Sequence, residues 1–527
     1  MAVNRQADGR VVIRRRAWAT LALFVLALVA LYAAAWTAHL RFDWTEDGVY
    51  TLSDATRAVL RRVKEPVRIR AYITSGLPQP YGALRRFITD MLASYHDAAP
   101  NISYEVIDPD RDSSAAAALA AMGIPRVQVQ VVEDDQAQIK QGYMALVVEY
   151  LDKKATIPVV QSESGFEYNL TRRIKQVTGS GKRTIGVMED DGAIPLDRMG
   201  RLRQLAGDDY RFEVVHPERE ALPEDLAALI VAGATKPLST LARYRIEQLR
   251  LRGGGLLVLA GNAVPQLDLG FRVQPVDRYA NDWLRDDLGV VVRPGLVFDR
   301  DAGRVMVNQR QGIFMFRSAV DYPFMPAIHD LNPTHSLTRG LREVAMPFVS
   351  PLICSEQAHD CTVLMRSSPA SAVQNGPPFD VDPLRRMAPL FAGVQRSPQV
   401  VGVALGGPLQ ARLAPPKEGL TDAERKATRP KRRDAQRVVV LGAPALFEDT
   451  FMDGDNTLFA LNALDWVAGN EGLIALRARQ VTQRPLAKLD GDARAMWKVV
   501  WIFLLPLLVG IAAVVRWRWR LRAGTVV

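Results

Sequence analysis

Cysteine is almost absent: the 527 residues hold two, Cys354 and Cys361, in the stretch CSEQAHDC. That excludes a disulfide-dense scaffold and any multi-thiolate metal framework. A pair closing so short a loop is most simply a disulfide of an extracytoplasmic protein. A metal site built on both thiols and His359 would lack a fourth ligand. Histidine is scarce as well, six in all, which leaves few bases for nucleophilic catalysis. A complete phosphate-binding loop is missing. GSGKRT (Gly179–Thr184) has Gln176 where the leading glycine would stand and Arg183 in place of the Ser/Thr, so it is expected to be a linker at 179–183. The middle of the chain also lacks a charge excess. Five arginines against Asp8 before the first apolar run, and four after the second, place +8 of the formal +10 in the tails. The sequence pI near 9.6 therefore reports topology, and nucleic acid is not expected as a partner.

Long apolar runs are present, one near each end. AWATLALFVLALVALYAAAWTA (17–38) carries no charge and, at about 1.5 Å per residue, covers about 33 Å, enough for a bilayer core. Trp18, Tyr32 and Trp36 lie near its ends, where amphipathic rings favour the headgroup zone. MWKVVWIFLLPLLVGIAAVV (496–515) is a second run, charged only at Lys498 near its edge, which can snorkel; Pro506 is tolerated in a membrane helix. A cleaved signal peptide ending near Ala33-Ala34-Ala35 is the alternative for the first run, but its length favours an anchor. The flanking arginines make tails 1–16 and 516–527 cytoplasmic, with the intervening chain outside and the lipid bilayer as a partner.

The first span is followed by RFDWTEDGVYTLSDATRAVL (Arg41–Leu60), within a juxtamembrane segment 39–65. Its aromatic and turn residues are those of a packed segment, whereas a tether would be featureless. Ser53 is placed to cap a helix that begins at Asp54. From 66 to 178 the pattern is strand (PVRIRAYIT), helix from Tyr81, strand (ISYEVIDPD), helix (SAAAALAAMG), strand (IPRVQVQVV), a hairpin (MALVVEYLD, KATIPVV) and a closing helix (FEYNLTRRIKQV). This order resembles the thioredoxin fold. The redox motif would fall in SGLPQPYG, which has no cysteine, so thiol exchange is excluded.

Residues 184–490 alternate apolar strands (TIGVM, FEVV, LAALIVA, LLVLAGN, RVVVLG) with amphipathic helices, which implies a parallel doubly wound sheet. An insertion at about 270–435 is irregular, and its Lys/Arg-rich stretch PPKEGLTDAERKATRPKRRDAQ is expected to be an exposed loop. The arrangement resembles a class I glutamine-amidotransferase-like domain, whose nucleophile follows a strand like LLVLAGN. Here that turn reads Ala260-Gly261-Asn262-Ala263, and no nucleophile–base pair can be assembled. No enzymatic activity and no cofactor are expected. Glu189, Asp190 and Asp191, with Gly261 and Asn262, mark a candidate ligand crevice at the strand ends. The acidic triplet could hold a divalent ion, but a solvated loop is the expectation.

Four blocks taken in order (RFDWTEDGVYTLSDAT, FEYNLTRRIKQVTGSGKRTIGVM, ALIVAGATKPLSTLARYRIEQLRLRGGGLLVLAGN and NALDWVAGNEGLIALRARQVTQRPL) make the chain resemble the Gld-type (gliding-motility-like) auxiliary subunits of ABC transporters. One departure is Glu189-Asp190-Asp191-Gly192, where that family commonly has a Gly-His-Gly-Glu-like turn. The resemblance implies a non-catalytic subunit of the bacterial inner membrane with a periplasmic ectodomain. Its partners would be an ABC-type permease and ATPase and an envelope or cargo ligand. It also implies a permease interface at Asp43, Trp44, Thr45, Tyr50, Leu52 and Ser53; packing of the segment on its own first domain is the alternative. An extracytoplasmic hydrolase or amidotransferase relative and a purely structural envelope scaffold are the competing functions.

Overall fold

The computed structural model describes residues 51–523 other than 79–80, 134–135, 180, 267–270, 312–313, 357, 359, 385–386 and 479–490, together with 23, 25–27, 29 and 30. The chain divides into two compact units, Met1–Val481 and Thr482–Val527.

The first unit begins with helix α1 (Asp54–Leu60), whose N-cap Ser53 accepts the Thr56 amide as its position in the sequence predicts. Strand β1 (Val67–Ile73) leads into α2 (Tyr81–Ala98), which buries Leu84, Phe87, Ile88, Met91 and Leu92 on one stripe at the 3–4 residue spacing of a helix face. β2 (Ile102–Ile107) and α3 (Ser113–Ala121) follow, with Asp112 capping α3 through the amides of Ser114 and Ala115. The next segment departs from expectation. β3 (Val127–Glu133) pairs only with β4 (Gln136–Gly142), so the two form a separate hairpin outside the main sheet. β5 (Met144–Tyr150), β6 (Lys153–Ile157) and α4 (Phe166–Thr178) complete the region. The four-stranded sheet has the order β2-β1-β5-β6, parallel between β1 and β2 and antiparallel elsewhere. One face packs on α2 and α4 through Phe87, Met91, Phe166 and Ile174, and the other on α3 through Leu119.

β7 (Arg183–Met188) opens a larger sheet with α5 (Gly200–Ala206), β8 (Tyr210–Val215), β9 (Leu226–Ala232), α6 (Thr240–Arg252) and β10 (Gly255–Leu259). Gly253 ends α6 at φ +107°, where an added Cβ would also strike the Arg433 guanidinium.

The insertion is ordered, contrary to its irregular look in sequence. It carries a long hairpin, β11 (Ala302–Gln311) and β12 (Phe314–Ile328). It also supplies three sheet strands, β13 (Asp330–Leu331), β14 (Cys361–Arg366) and β15 (Val400–Leu405). Helix α7 (Asp422–Lys426) follows in the basic stretch, then β16 (Val438–Leu441). The eight strands run β13-β14-β15-β16-β10-β9-β7-β8. The last five are mutually parallel, whereas β13 to β15 are added antiparallel, so the sheet is mixed. α8 (Gly454–Val467) and α5 cover one face through Phe459, Leu464 and Leu202. α6 covers the other through Ile246 and Leu249.

The basic stretch is largely exposed and yet anchored. α7 has a capping box, and Glu424 within it grips Arg245 of α6 at 2.8 and 3.0 Å. Arg245 is fully buried, and its hydrogen bonds hold the Glu424 carboxyl at about 2. Cys354 and Cys361 are disulfide-bonded, their Cα atoms 6.4 Å apart; His359 lies outside the described residues.

α9 (Glu471–Ala478) closes the unit and joins its two halves. The buried Arg477 guanidinium donates to Asp465 Oδ2 at 2.7 Å, Asn462 Oδ1 at 2.6 Å and the Tyr168 hydroxyl at 3.0 Å. Tyr210 donates to the second Asp465 oxygen at 2.6 Å, Asn470 to Tyr210 at 2.7 Å, and Lys175 to Asn470 at 2.9 Å. Beside this network Arg172 pairs with Asp209 at 2.6 Å. Tyr168, Arg172 and Lys175 lie on α4 of the first half; their partners belong to the second. Burial opposes the charge on Arg477, yet Asp465 and Tyr168 hold its pKa above the ordinary value.

The second unit holds α10 (Gly491–Ala523), 33 residues that include the 496–515 run and Pro506. Among the described residues no helix is long and apolar enough to cross a membrane. Several side chains of the run lie outside that set.

Removing one partner of a buried ion pair strands the other charge at a cost of about 3–5 kcal/mol. Arg477→Ala should therefore lower the denaturant stability of the full chain by that order, while Asp465→Asn with Arg477→Met should lose much less. Equal losses in the single and double variants would show the pair is not coupled.

Candidate functional site

The carboxyl ends of β7, β9, β10 and β16 meet at one edge of the large sheet, where ligands bind in open α/β sheets. The sequence-predicted crevice residues all lie there, but each is engaged. Glu189 Oε1 accepts the Leu196 amide at 2.9 Å. Asp190 is buried, accepting the Glu218 amide at 3.0 Å and facing His216 Nδ1 at 3.0 Å. The expectation of a solvated acidic loop thus fails, because β8 runs beside β7 and delivers His216 and Glu218 onto the triplet.

Asp191 adopts φ +57°, and its carbonyl accepts the amides of Thr235 and Lys236 at 2.9 and 3.1 Å. Gly192, also at positive φ, leaves no room for a Cβ against Thr235. Asp191 Oδ2 is buried with no hydrogen-bond partner within the protein. Burial, with the neighbouring Glu218 and Asp190, pushes its carboxyl up to about 6 against the pull of Lys236. Among the described residues no group of three or more acidic, His or Cys side chains could hold a metal ion.

Gly261 and Asn262 lie at the end of β10, and the insertion covers them. The Asn262 amide donates to Ser350 Oγ at 3.0 Å. Its Nδ2 donates to the carbonyls of Arg293 and Gly295 at 2.6 and 3.0 Å and to Ser350 Oγ at 2.9 Å. Ser350 in turn donates its amide to Gly442 at the end of β16, at 2.7 Å. Asn281 Nδ2 donates to the Gly261 carbonyl at 2.9 Å, and Pro444 fills the space a Cβ on Gly261 would take. The turn after β10 is therefore a structural tie between the sheet and its insertion. The sequence could not show Ser350 as its partner, since the two are 88 residues apart.

Of the juxtamembrane residues, Asp43, Trp44, Thr45 and Tyr50 lie outside the described set. Leu52 is buried in the first core. The Ser53 amide and the Thr56 hydroxyl both donate to Glu167 Oε1 at 2.7 Å. Thr56 also meets Thr171, which bonds the Tyr95 hydroxyl. Leu52 and Ser53 thus pack on the chain's own first half. Ala55 packs against Tyr168, Leu473 and Leu476, so α1 and α9, the elements next to the two terminal segments, are neighbours.

A family model described as "ABC-type uncharacterized transport system" matches residues 182–468, from the first strand of the large sheet to the end of α8. The chain belongs to this family of ABC transport system auxiliary components. A second model, a domain of unknown function (DUF7088), matches residues 46–149. An uncharacterized protein of Borreliella burgdorferi is 22% identical over 273 residues, 51% of this chain and 53% of that one. The chain thus spans about half the length of this curated relative. Among solved structures, the N-terminal domain of mmIFT52 aligns at 12% identity and a TM-score of 0.32, over 54% of this chain and 97% of that one. A ThuA-like protein from Parabacteroides merdae aligns at 10% identity and 0.26, over 59% and 93%. Neither score carries an argument.

In this auxiliary-family protein the Asp191 carboxyl is raised above its unfolded value near 3.9, so the folded state binds the extra proton between about pH 4 and 6. Stability from this group is full below that window and declines as pH rises through it. Asp191→Asn, which tolerates positive φ, should raise the melting temperature at pH 7 and raise it much less at pH 4.5. An equal effect at both pH values would contradict the assignment.

Proposed function

We propose that this chain is a non-catalytic, membrane-anchored, extracytoplasmic auxiliary subunit of an ABC transporter of the Gld type, coupling a separate permease and ATPase to cargo or envelope partners. The observation that carries the anchored reading is the packing of Ala55 against Leu473 and Leu476. It puts the elements adjoining the two terminal segments side by side, as an ectodomain looped between two spans with both tails cytoplasmic requires. The apolar runs at 17–38 and 496–515, flanked by arginine, supply the spans.

The non-catalytic reading rests on the strand-end edge. In place of an activated nucleophile it holds Asn262 bound to Ser350 and to the carbonyls of Arg293 and Gly295. The first half is then a thioredoxin-type platform without its cysteines, in keeping with its β2-β1-β5-β6 order. The second is an amidotransferase-like sheet given over to structure.

The permease contact falls on the upstream part of the juxtamembrane segment, Asp43, Trp44, Thr45 and Tyr50. Leu52 and Ser53 fix that segment to the first half through Glu167.

Detergent extraction through a C-terminal tag should recover a permease and an ATPase in fixed ratio. Trp44→Ala with Tyr50→Ala should reduce that recovery several-fold while the melting temperature stays within about 1 °C of the parent. Isolation of the chain alone, folded and without transporter subunits, would contradict the proposal.

A further inference from the structure

Three arginines are buried among the described residues: Arg245, Arg250 and Arg477. Two are fully answered. Arg245 has both oxygens of Glu424 and the carbonyls of Pro217 and Gly419. Arg477 has Asp465, Asn462 and the Tyr168 hydroxyl. Arg250, in the last turn of α6, differs. Its Nη2 donates to the amide oxygen of Gln436, and its Nε has no hydrogen-bond partner within the protein.

The two nearby carboxylates are committed elsewhere. Glu247 accepts the backbone amides of Arg412 and Leu413 at 2.7 and 3.2 Å. Asp287 is held in a two-pronged clasp by Arg243 at 2.8 and 2.5 Å. A buried guanidinium without its own carboxylate is costly. Burial duly pulls Arg250 down to about 10, partly offset by Glu247 and Asp287 and deepened by Arg412.

Arg250 lines a cavity of about 240 Å³ that it shares with Arg412, Asp287, Gln410 and Gln436. The cavity lies at the amino-terminal edge of the parallel strands, since α6 ends three residues before β10; this is the edge opposite Asn262. Arg250 and Arg412 both line it, and Asp287, the single acidic residue of the lining, is already clasped by Arg243. Two side-chain amides complete the polar lining.

We propose that this cavity is a binding site for a small oxyanion, a phosphate or carboxylate group, held by the Arg250 and Arg412 guanidiniums with Gln410 and Gln436 beside them. The planar donor fork of arginine matches such groups. The volume exceeds that of a few waters, so a free ion and the terminal group of a larger molecule share the same chemistry. The site would make the auxiliary subunit responsive to an anionic solute or to an anionic group on a partner, independently of whether the transporter assignment holds.

The full chain in detergent is titrated with sodium phosphate against sodium chloride of equal ionic strength, following the melting temperature. Phosphate is expected to raise it saturably, as a ligand of the folded state does, and chloride is not. Losing one charged donor costs about tenfold or more in affinity, so Arg412→Gln, an exposed side chain, should weaken half-saturation by that factor. Arg250→Met removes the buried charge; it should fold with equal or greater stability and lose the response. A parallel titration with glycerol 3-phosphate separates the sources. A shift equal to that of phosphate places a larger molecule's terminal group in the site, and a shift with phosphate alone assigns it to the free ion. No phosphate-specific shift in the parent, or a shift retained in both variants, would overturn the proposal.

Discussion

A guanidinium taken out of water has to be met by charge and by geometry, and the Arg477 side chain imposes that requirement on both halves of the first unit. Its partners come from two other helices, Tyr168 from α4 and Asn462 and Asp465 from α8, while Arg477 itself lies on α9. Satisfying all of them fixes the two halves of the first unit against each other. The consequence propagates toward the termini. α4 also presents Glu167 and Thr171 to Ser53 and Thr56, so the same helix that receives Arg477 positions α1. The elements adjoining both terminal segments therefore converge on one joint.

The large sheet follows a different logic at its strand ends. The edge that usually receives a ligand is used to attach the insertion, through Asn262 and Ser350, and to fold the acidic turn onto His216 and Glu218. That edge is thereby occupied by structural ties. Strain is left at Asp191, whose positive φ and unmatched carboxylate oxygen remain after these ties are made.

Much of this architecture was legible because it is local. The α2 stripe from Leu84 to Leu92, the Ser53 cap and the five parallel strands each announce themselves within a short window. The rest depends on partners far along the chain. β14 and β15 pair across register shifts near Val363 and Met365, which breaks the alternation that marks a strand. The anchor of the exposed basic stretch could not be read locally, because Arg245 lies 179 positions away from Glu424. The same holds for Asp190, whose burial depends on His216, and for the joint, where Tyr168 and Arg477 are 309 residues apart. β3 read correctly as a strand, but nothing local says that it leaves the sheet for β4.

The claim on which the account turns is that the joint makes the two halves one rigid body. It is tested most directly by spin labels on cysteines introduced at the exposed Asp152 and Glu220, one in each half, the native cysteines being bridged to each other. Pulsed electron paramagnetic resonance on the full chain should give one narrow distance distribution, and Arg477→Ala should broaden it. A broad or two-peaked distribution in the parent protein would contradict the account.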